Sequence, residues 1–319
     1  MTDSRDKAAP LFTVILAFAI IYIAWGSTYF FIQAAERGFP PFILGAFRFF
    51  ASGFLLLAWC AIKKYPLFNR SQLKASFIVG NLLLFIGNGA IIWAETTLPS
   101  SFVAVLVSAA PVYIVLFDGR NRKANFGNKY ILTGIITGFA GVILLFGEKI
   151  FTKIPVANET LNIFFLLLIV AGSISWSLGS LYSKYNATGN TMVGAAWQMI
   201  FAAASFIVMA LFAGETSHFH FRDVELRAWL SVIYLVTMGS LAGYTAYIWL
   251  LQVRSATQVS TNAYVNPVVA VLLGVLFGGE YINLLQIIAL FIILSSVFII
   301  NFDKYKIRRE IKARSKESR

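Results

Sequence analysis

The sequence predicts an all-α membrane protein, with ten transmembrane helices arranged as two inverted five-helix repeats. Three observations predict it. Hydrophobic residues make up 59% of the 319 positions and charged residues only 13%, whereas soluble domains carry about 25% charged residues. Mean hydropathy is +0.76, and the apolar residues fall in runs of about twenty, the helix length that crosses a hydrocarbon core of about 30 Å. One pattern also occurs twice. Trp93 lies eighteen residues before Pro111, in IIWAETTLPSSFVAVLVSAAP, and Trp249 lies eighteen residues before Pro267, in YIWLLQVRSATQVSTNAYVNP. In a membrane protein, an internal repeat points toward transport.

The spans follow in order, each bounded by charges. The first two are expected at 11–33, before Arg37, and at 41–62, before Lys63 and Lys64. The third, 73–96, follows Arg70, and the fourth, 100–118, precedes Arg120, Arg122 and Lys123. The fifth, 128–147, ends before Lys149 and Lys153, and the sixth, 162–183, before Lys184. The seventh, 192–213, is separated by a longer loop with Arg222 and Arg227 from the eighth, 228–252, which ends at Arg254. The ninth and tenth are 257–277 and 283–302, and the basic segment 303–319 closes the chain.

Charge orients these spans. The face that carries both chain ends collects twenty Lys and Arg, eight of them in the tail from Lys304 to Arg319. The other face has five: Arg37, Lys149, Lys153, Arg222 and Arg227, and Arg48 lies within a span. Positive residues favour the cytoplasm, so both ends are expected there, in a cell (inner) membrane. Each half holds five spans, an odd number, so the second half enters from the opposite side. The expected organisation is a tail at 1–10, a first repeat at 11–147, an external linker at 148–161, a second repeat at 162–302 and the basic tail. Inverted repeats give one fold two near-equivalent conformations, which is the basis of alternating access.

The same features exclude other classes. The net charge of +12 is spent on topology and on anionic lipid headgroups, so nucleic acid is not an expected partner. Cys60 is the single cysteine, which forbids an intramolecular disulfide and reads as a packing residue. His218 and His220 share an outer loop without a third ligand, so no metal site is expected. No Walker motif is present, no cofactor is implied, and no connection has room for a soluble catalytic domain. An intramembrane enzyme needs a cluster of acids, histidines or a Ser/Lys pair within the spans, and the acids here are scattered at span ends.

Four stretches resemble a known family. They are IAWGSTYFFIQ (Ile23–Gln33), GNGAIIWAE with AAPVY, GSISWSLGSLYSK (Gly172–Lys184) and AYVNPVVAVLLGVLFGGE (Ala263–Glu280). Together they resemble the EamA-type members of the drug/metabolite transporter superfamily, across both halves of the chain. The resemblance implies a ten-helix inner-membrane carrier that exports amino acids, metabolites or drugs. One departure is visible: APVYIVLFDGRNR in the first half stands where the second has NPVVAVLLGVLFGGE, so Asp118 has no clear counterpart.

Polar residues within apolar spans carry the candidate chemistry, because they are costly in lipid and face the interior. Arg48 lies about 10 Å from the outer end of its span at 1.5 Å per residue, and an unpaired charge there costs about 2.5–3.5 kcal/mol. It reads as an anchor for an anionic solute or part of an outer gate; a structural ion pair or snorkelling is the alternative. Glu95 is its nearest expected partner by depth and the candidate for proton coupling. Gln198 is the counterpart of Arg48 one repeat later. Asp118 and Glu280 read as interfacial charges. Pro111 and Pro267 remove a helical hydrogen bond mid-span, as hinges, binding-site elements or static kinks. Asn88, Tyr264 and Asn266 offer hydrogen bonds to a solute. Trp25, Tyr29 and Trp176 supply aromatic surface, Trp25 and Tyr29 sharing one helix face. Gly87, Gly89, Gly138 and Gly141 read as close-packing positions. The expected partner is a small organic solute moved by secondary transport; a channel, a uniporter or a non-transporting membrane protein is the alternative.

Overall fold

The computed structural model describes residues 9–98, 100–152, 159–278 and 282–317, and their regular structure is helical. The crossings are α1 (Leu11–Glu36), α2 (Pro41–Ile62), α3 (Arg70–Glu95), α4 (Ser100–Val107 and Ala110–Phe117) and α5 (Lys129–Thr152). The second half supplies α6 (Glu159–Asn186), α7 (Thr191–Phe212), α8 (Leu226–Val253), α9 (Ala256–Val259 and Asn262–Gly278) and α10 (Leu284–Glu317). Among the described residues eight helices are long and apolar enough to cross a membrane. The remaining crossings, α4 and α9, are shorter and broken. Glu280 lies outside the described residues.

Local sequence sets the ends. Asn69 caps α3 by accepting from the amides of Ser71 and Gln72, and Asn190 caps α7 by accepting from Met192 and Val193, which satisfies amides that a helix start leaves open. Pro41 begins α2, where its missing amide costs nothing. The helices α5 and α6 run further than the sequence suggests, entering the expected linker from both sides. The basic tail after residue 302 continues α10 as helix. Large apolar side chains such as Phe12, Phe54 and Phe212 are exposed, as expected of a surface that meets lipid.

The packing is symmetric under exchange of the two halves. The equivalent helices α2 and α7 pack along each other, as does the equivalent pair α5 and α10. Where α1 packs on α8 and α9, α6 packs on α3 and α4; where α2 meets α8, α7 meets α3. Small residues permit the close pairs. Gly45 and Gly53 of α2 accommodate Phe206 and Ile200 of α7, and Gly134, Gly138 and Gly141 of α5 lie against Ile300, Ser296 and Ile293 of α10. In lipid, such backbone approach is what holds helices together.

Three apolar cores result. One is built mainly from α1, α2, α3, α7 and α8, around Leu44, Leu83, Phe206 and Tyr244. A second is built mainly from α4, α5, α9 and α10, around Val142, Tyr264 and Ile293. A third, smaller one joins α3, α4 and α6 around Ala94, Val103 and Ile169. Each core draws on both repeats, and Cys60 is buried in the first as a packing residue.

Candidate functional site

Two wide helical turns shape the site. Within α3, residues Gly80–Asn88 wind as a π-helix, and within α8 residues Leu235–Tyr244 do the same. The two segments occupy matching positions: Asn88 and Tyr244 are 156 residues apart, as are Trp93 and Trp249. π-Turns are rare and concentrate at functional sites. The facing helices bond to backbone carbonyls in both segments. Trp25 of α1 donates its indole N–H to the Gly239 carbonyl at 3.0 Å. In α6, Ser175 donates to the Leu82 carbonyl at 2.8 Å. A glycine in each segment receives a tryptophan: Gly87 abuts Trp176, and Gly243 abuts Trp25.

Among the helices of both repeats lies a cavity of about 70 Å³, counted as space open to water centres. Its walls come from α1 (Trp25, Thr28, Tyr29), α2 (Arg48, Phe49), α3 (Leu84, Gly87, Asn88) and α4 (Val107, Ala110, Ile114). The second repeat adds α6 (Gly172, Ser173, Trp176), α8 (Gly239, Tyr244) and α9 (Ser260, Ala263, Asn266). Of the predicted residues, Trp25, Tyr29, Arg48, Asn88, Trp176 and Asn266 meet there.

Arg48 is 3% exposed. Its Nε donates to Ser240 Oγ at 2.9 Å, one terminal nitrogen approaches Asn88 Oδ1 at 3.5 Å, and the guanidinium carbon lies 4.9 Å from the Phe49 ring centre. All three groups are neutral. The expected partnership with Glu95 is therefore replaced by hydrogen bonds, because the π-turn of α8 brings Ser240 to the guanidinium. Glu95 is buried at the end of α3, near enough to Tyr29 to interact with it electrostatically.

An aromatic cluster adjoins the cavity wall. Trp25, Trp176 and Tyr247 pack mutually, with ring centres 4.9–5.4 Å apart. Trp176 donates to the Tyr247 hydroxyl at 3.0 Å, and that hydroxyl lies 2.6 Å from Ser180 Oγ. Tyr22 bonds to Thr261 at 3.0 Å, linking α1 to α9. Lys184 donates to the carbonyls of Leu251 and Arg254 at 2.9 and 2.7 Å, tying α6 to the end of α8. Asp118, expected to be an interfacial charge, is instead 2% exposed and accepts from the Tyr185 hydroxyl at 2.6 Å and from Asn121.

The other predicted residues surround the cavity without lining it. Gln198 accepts from the Tyr244 hydroxyl at 2.7 Å, and Tyr264 donates to the Ile135 carbonyl at 3.0 Å. Pro111 opens the second piece of α4 after a break at Ser108–Ala109, while Pro267 sits inside continuous helix. A proline lacks the amide that bonds four residues back; those positions are Val107 and Ala263, and both line the cavity. Sequence reasoning missed Ser173, Ser240 and Tyr247. The serine-rich run GSISWSLGS in α6 and the spacing Gly239-Ser240, Gly243-Tyr244 in α8 were the available signals.

The comparisons bear on this architecture directly. The model of the EamA-like transporter family matches residues 9–147 and 163–302. The chain belongs to that family. Its two matched segments coincide with the two helical repeats, so the fold is a pair of EamA units with the cavity between them. The "Uncharacterized inner membrane transporter YedA" of Escherichia coli K12 is 34% identical over 301 residues, covering 93% of this chain and 92% of the relative. The "Probable amino-acid metabolite efflux pump" of the same organism is 20% identical over 289 residues, covering 88% and 92%. A solved crystal structure shares the fold with a TM-score of 0.73 at 18% identity, over 92% of this chain and 98% of that one. This EamA protein is thus a multi-pass inner-membrane transporter, not an enzyme.

Proposed function

We propose that this chain is a secondary-active carrier that exports small organic metabolites, amino acids or drugs by alternating access. The observation that supports it most is the central cavity, lined by residues of both repeats. Trp25, Tyr29, Arg48, Asn88, Trp176 and Asn266 contact the solute; Gln198 and Tyr264 hold the helices that carry them. Pro111 and Pro267 act as bending points, and Glu95 is the proton-coupling group. The basic tail tracks anionic lipid headgroups.

Purified protein in liposomes tests this reading. Flux of a small organic solute should saturate with concentration and need no ATP. Non-saturating flux at single-channel rates overturns the carrier. Flux indifferent to an imposed pH gradient removes Glu95 from the coupling role.

A further inference from the structure

We infer that the cavity selects small organic monoanions, a carboxylate on an apolar or aromatic body, over zwitterions and cations. The inference rests on the transport reading and names its substrate class. Arg48 is the one charged side chain among the described lining residues. It is buried, and the groups that meet it are neutral: Ser240, Asn88 and the Phe49 ring. A guanidinium carries five N–H donors in a planar fork, and the two hydrogen bonds leave others for a guest. A buried charge is retained where something pairs with it, and a carboxylate fits the fork with two parallel bonds. No described lining residue is acidic, so an ammonium group on the guest finds no carboxylate in the described cavity wall.

A second observation refines the guest. Asn266 is 5% exposed, lines the cavity from α9, and its Oδ1 is buried without a hydrogen-bond partner. Ser173 Oγ, on the α6 wall, is in the same condition. A buried acceptor left open is unfavourable, so a neutral donor on the guest is favoured. The rings of Trp25 and Trp176 lie on the same cavity and offer stacking surface to an apolar body. A hydroxy acid with a hydrophobic side chain satisfies all three features. A carboxylate guest also gives the transport reading an electrical consequence. Moving one negative charge outward across the membrane is favoured when the cytoplasm is negative.

Four related probes test this: 3-phenyllactate, 3-phenylpropionate, phenylalanine and phenethylamine. Their binding to monodisperse detergent-purified protein is measured at equilibrium, and their flux in liposomes. Phenyllactate should bind tightest, phenylpropionate roughly tenfold weaker for want of the hydroxyl, phenylalanine weaker again, and phenethylamine not at all. Arg48→Gln should lower phenyllactate affinity at least thirtyfold or so, and Arg48→Lys less, since a point charge cannot form the bidentate pair. Asn266→Leu should lower phenyllactate affinity and close the gap between the two acids. Phenethylamine binding as tightly as phenyllactate, wild-type phenyllactate affinity in folded Arg48→Gln, or no binding of either acid overturns the inference. Saturable flux of a cationic or uncharged solute with no flux of the acids defeats the monoanion alone. Absence of saturable flux for every solute defeats the carrier itself.

Discussion

Arg48 and Gln198 stand at the same register in their repeats, 150 residues apart on helices of 22 residues each. Asn88 and Tyr244, which they meet, are equivalent too, 156 residues apart because the loop before α8 is six residues longer. The same side-chain contact therefore occurs twice, yet with opposite consequences. In the first repeat the donor is a charged fork that lines the cavity. In the second, the Tyr244 hydroxyl consumes the Gln198 carbonyl in a 2.7 Å bond, and Gln198 does not line the cavity. The backbone packing is symmetric, but the side chains that meet the cavity at this register are not. The broken helices differ in the same manner. The α4 break falls at Ser108–Ala109, directly before Pro111, whereas α9 breaks at Ser260–Thr261 and then runs through Pro267.

The largest effect should come from breaking the two equivalent contacts in turn. Arg48→Ala removes two hydrogen bonds to a buried charge, each worth about 1.5–3 kcal/mol, together with the proposed solute anchor. Flux in liposomes should fall at least about a hundredfold, since each 1.4 kcal/mol is a factor of ten. Gln198→Ala should slow flux only a few-fold while lowering the melting temperature in detergent, because the buried Tyr244 hydroxyl then lacks its acceptor. Equal losses at the two positions would show that the chemistry is as symmetric as the scaffold.

A smaller effect separates the two π segments. An added Cβ on Gly243 falls 2.7 Å from Trp25 Nε1, the atom that bonds the Gly239 carbonyl, whereas on Gly87 it falls 3.2 Å from the Trp176 ring. Overpacking a tight site costs about 1–3 kcal/mol. Gly243→Ala should therefore depress the melting temperature more than Gly87→Ala, and its loss should include the indole hydrogen bond. The reverse order would mean that the α3 segment is the tighter of the pair.

How much of this was legible in the sequence depends on the kind of signal. Ten crossings, two repeats and their inversion follow from hydropathy and charge, which act residue by residue. The interior placement of Trp25, Arg48, Asn88, Trp176 and Asn266 followed from the cost of polar and amphipathic groups in lipid. The partner of Arg48 did not. Depth suggested Glu95, but depth is one coordinate, and the π-turn that rotates Ser240 toward the guanidinium leaves no period-3.6 signature. Asp118 looked interfacial because it lies at the expected inner end of the fourth span; its burial involves Tyr185, 67 residues away. The aromatic cluster escaped notice because Tyr247 and Ser180 acquire meaning only once α6 and α8 touch.

The smallest effect concerns how the equivalent helices α2 and α7 begin. The start of α7 is capped locally by Asn190, but Pro40 precedes α2 and offers no side-chain cap. Glu215, from the loop before α8, takes that role at long range. Its two carboxylate oxygens accept from the amides of Phe42 and Ile43 at 3.3 and 2.9 Å. Burial raises its pKa, and the two amide bonds offset this only in part. A carboxyl whose folded pKa lies above its unfolded value stabilises the fold below the unfolded pKa, and that contribution is lost as pH rises through the folded pKa. Melting temperatures should therefore fall slightly on raising pH through the range just above the ordinary glutamate value. Glu215→Gln keeps an acceptor without the charge, so it should flatten that slope and lose little stability at neutral pH. Glu215→Ala removes the cap. Caps are worth about 0.5–2 kcal/mol, and partial exposure of this carboxylate places the loss at the lower end. Asn190→Ala, whose cap is local and uncharged, should cost a similar amount at every pH. A pH slope that survives Glu215→Gln would assign the titration to another group and leave the two helix starts alike in their electrostatics.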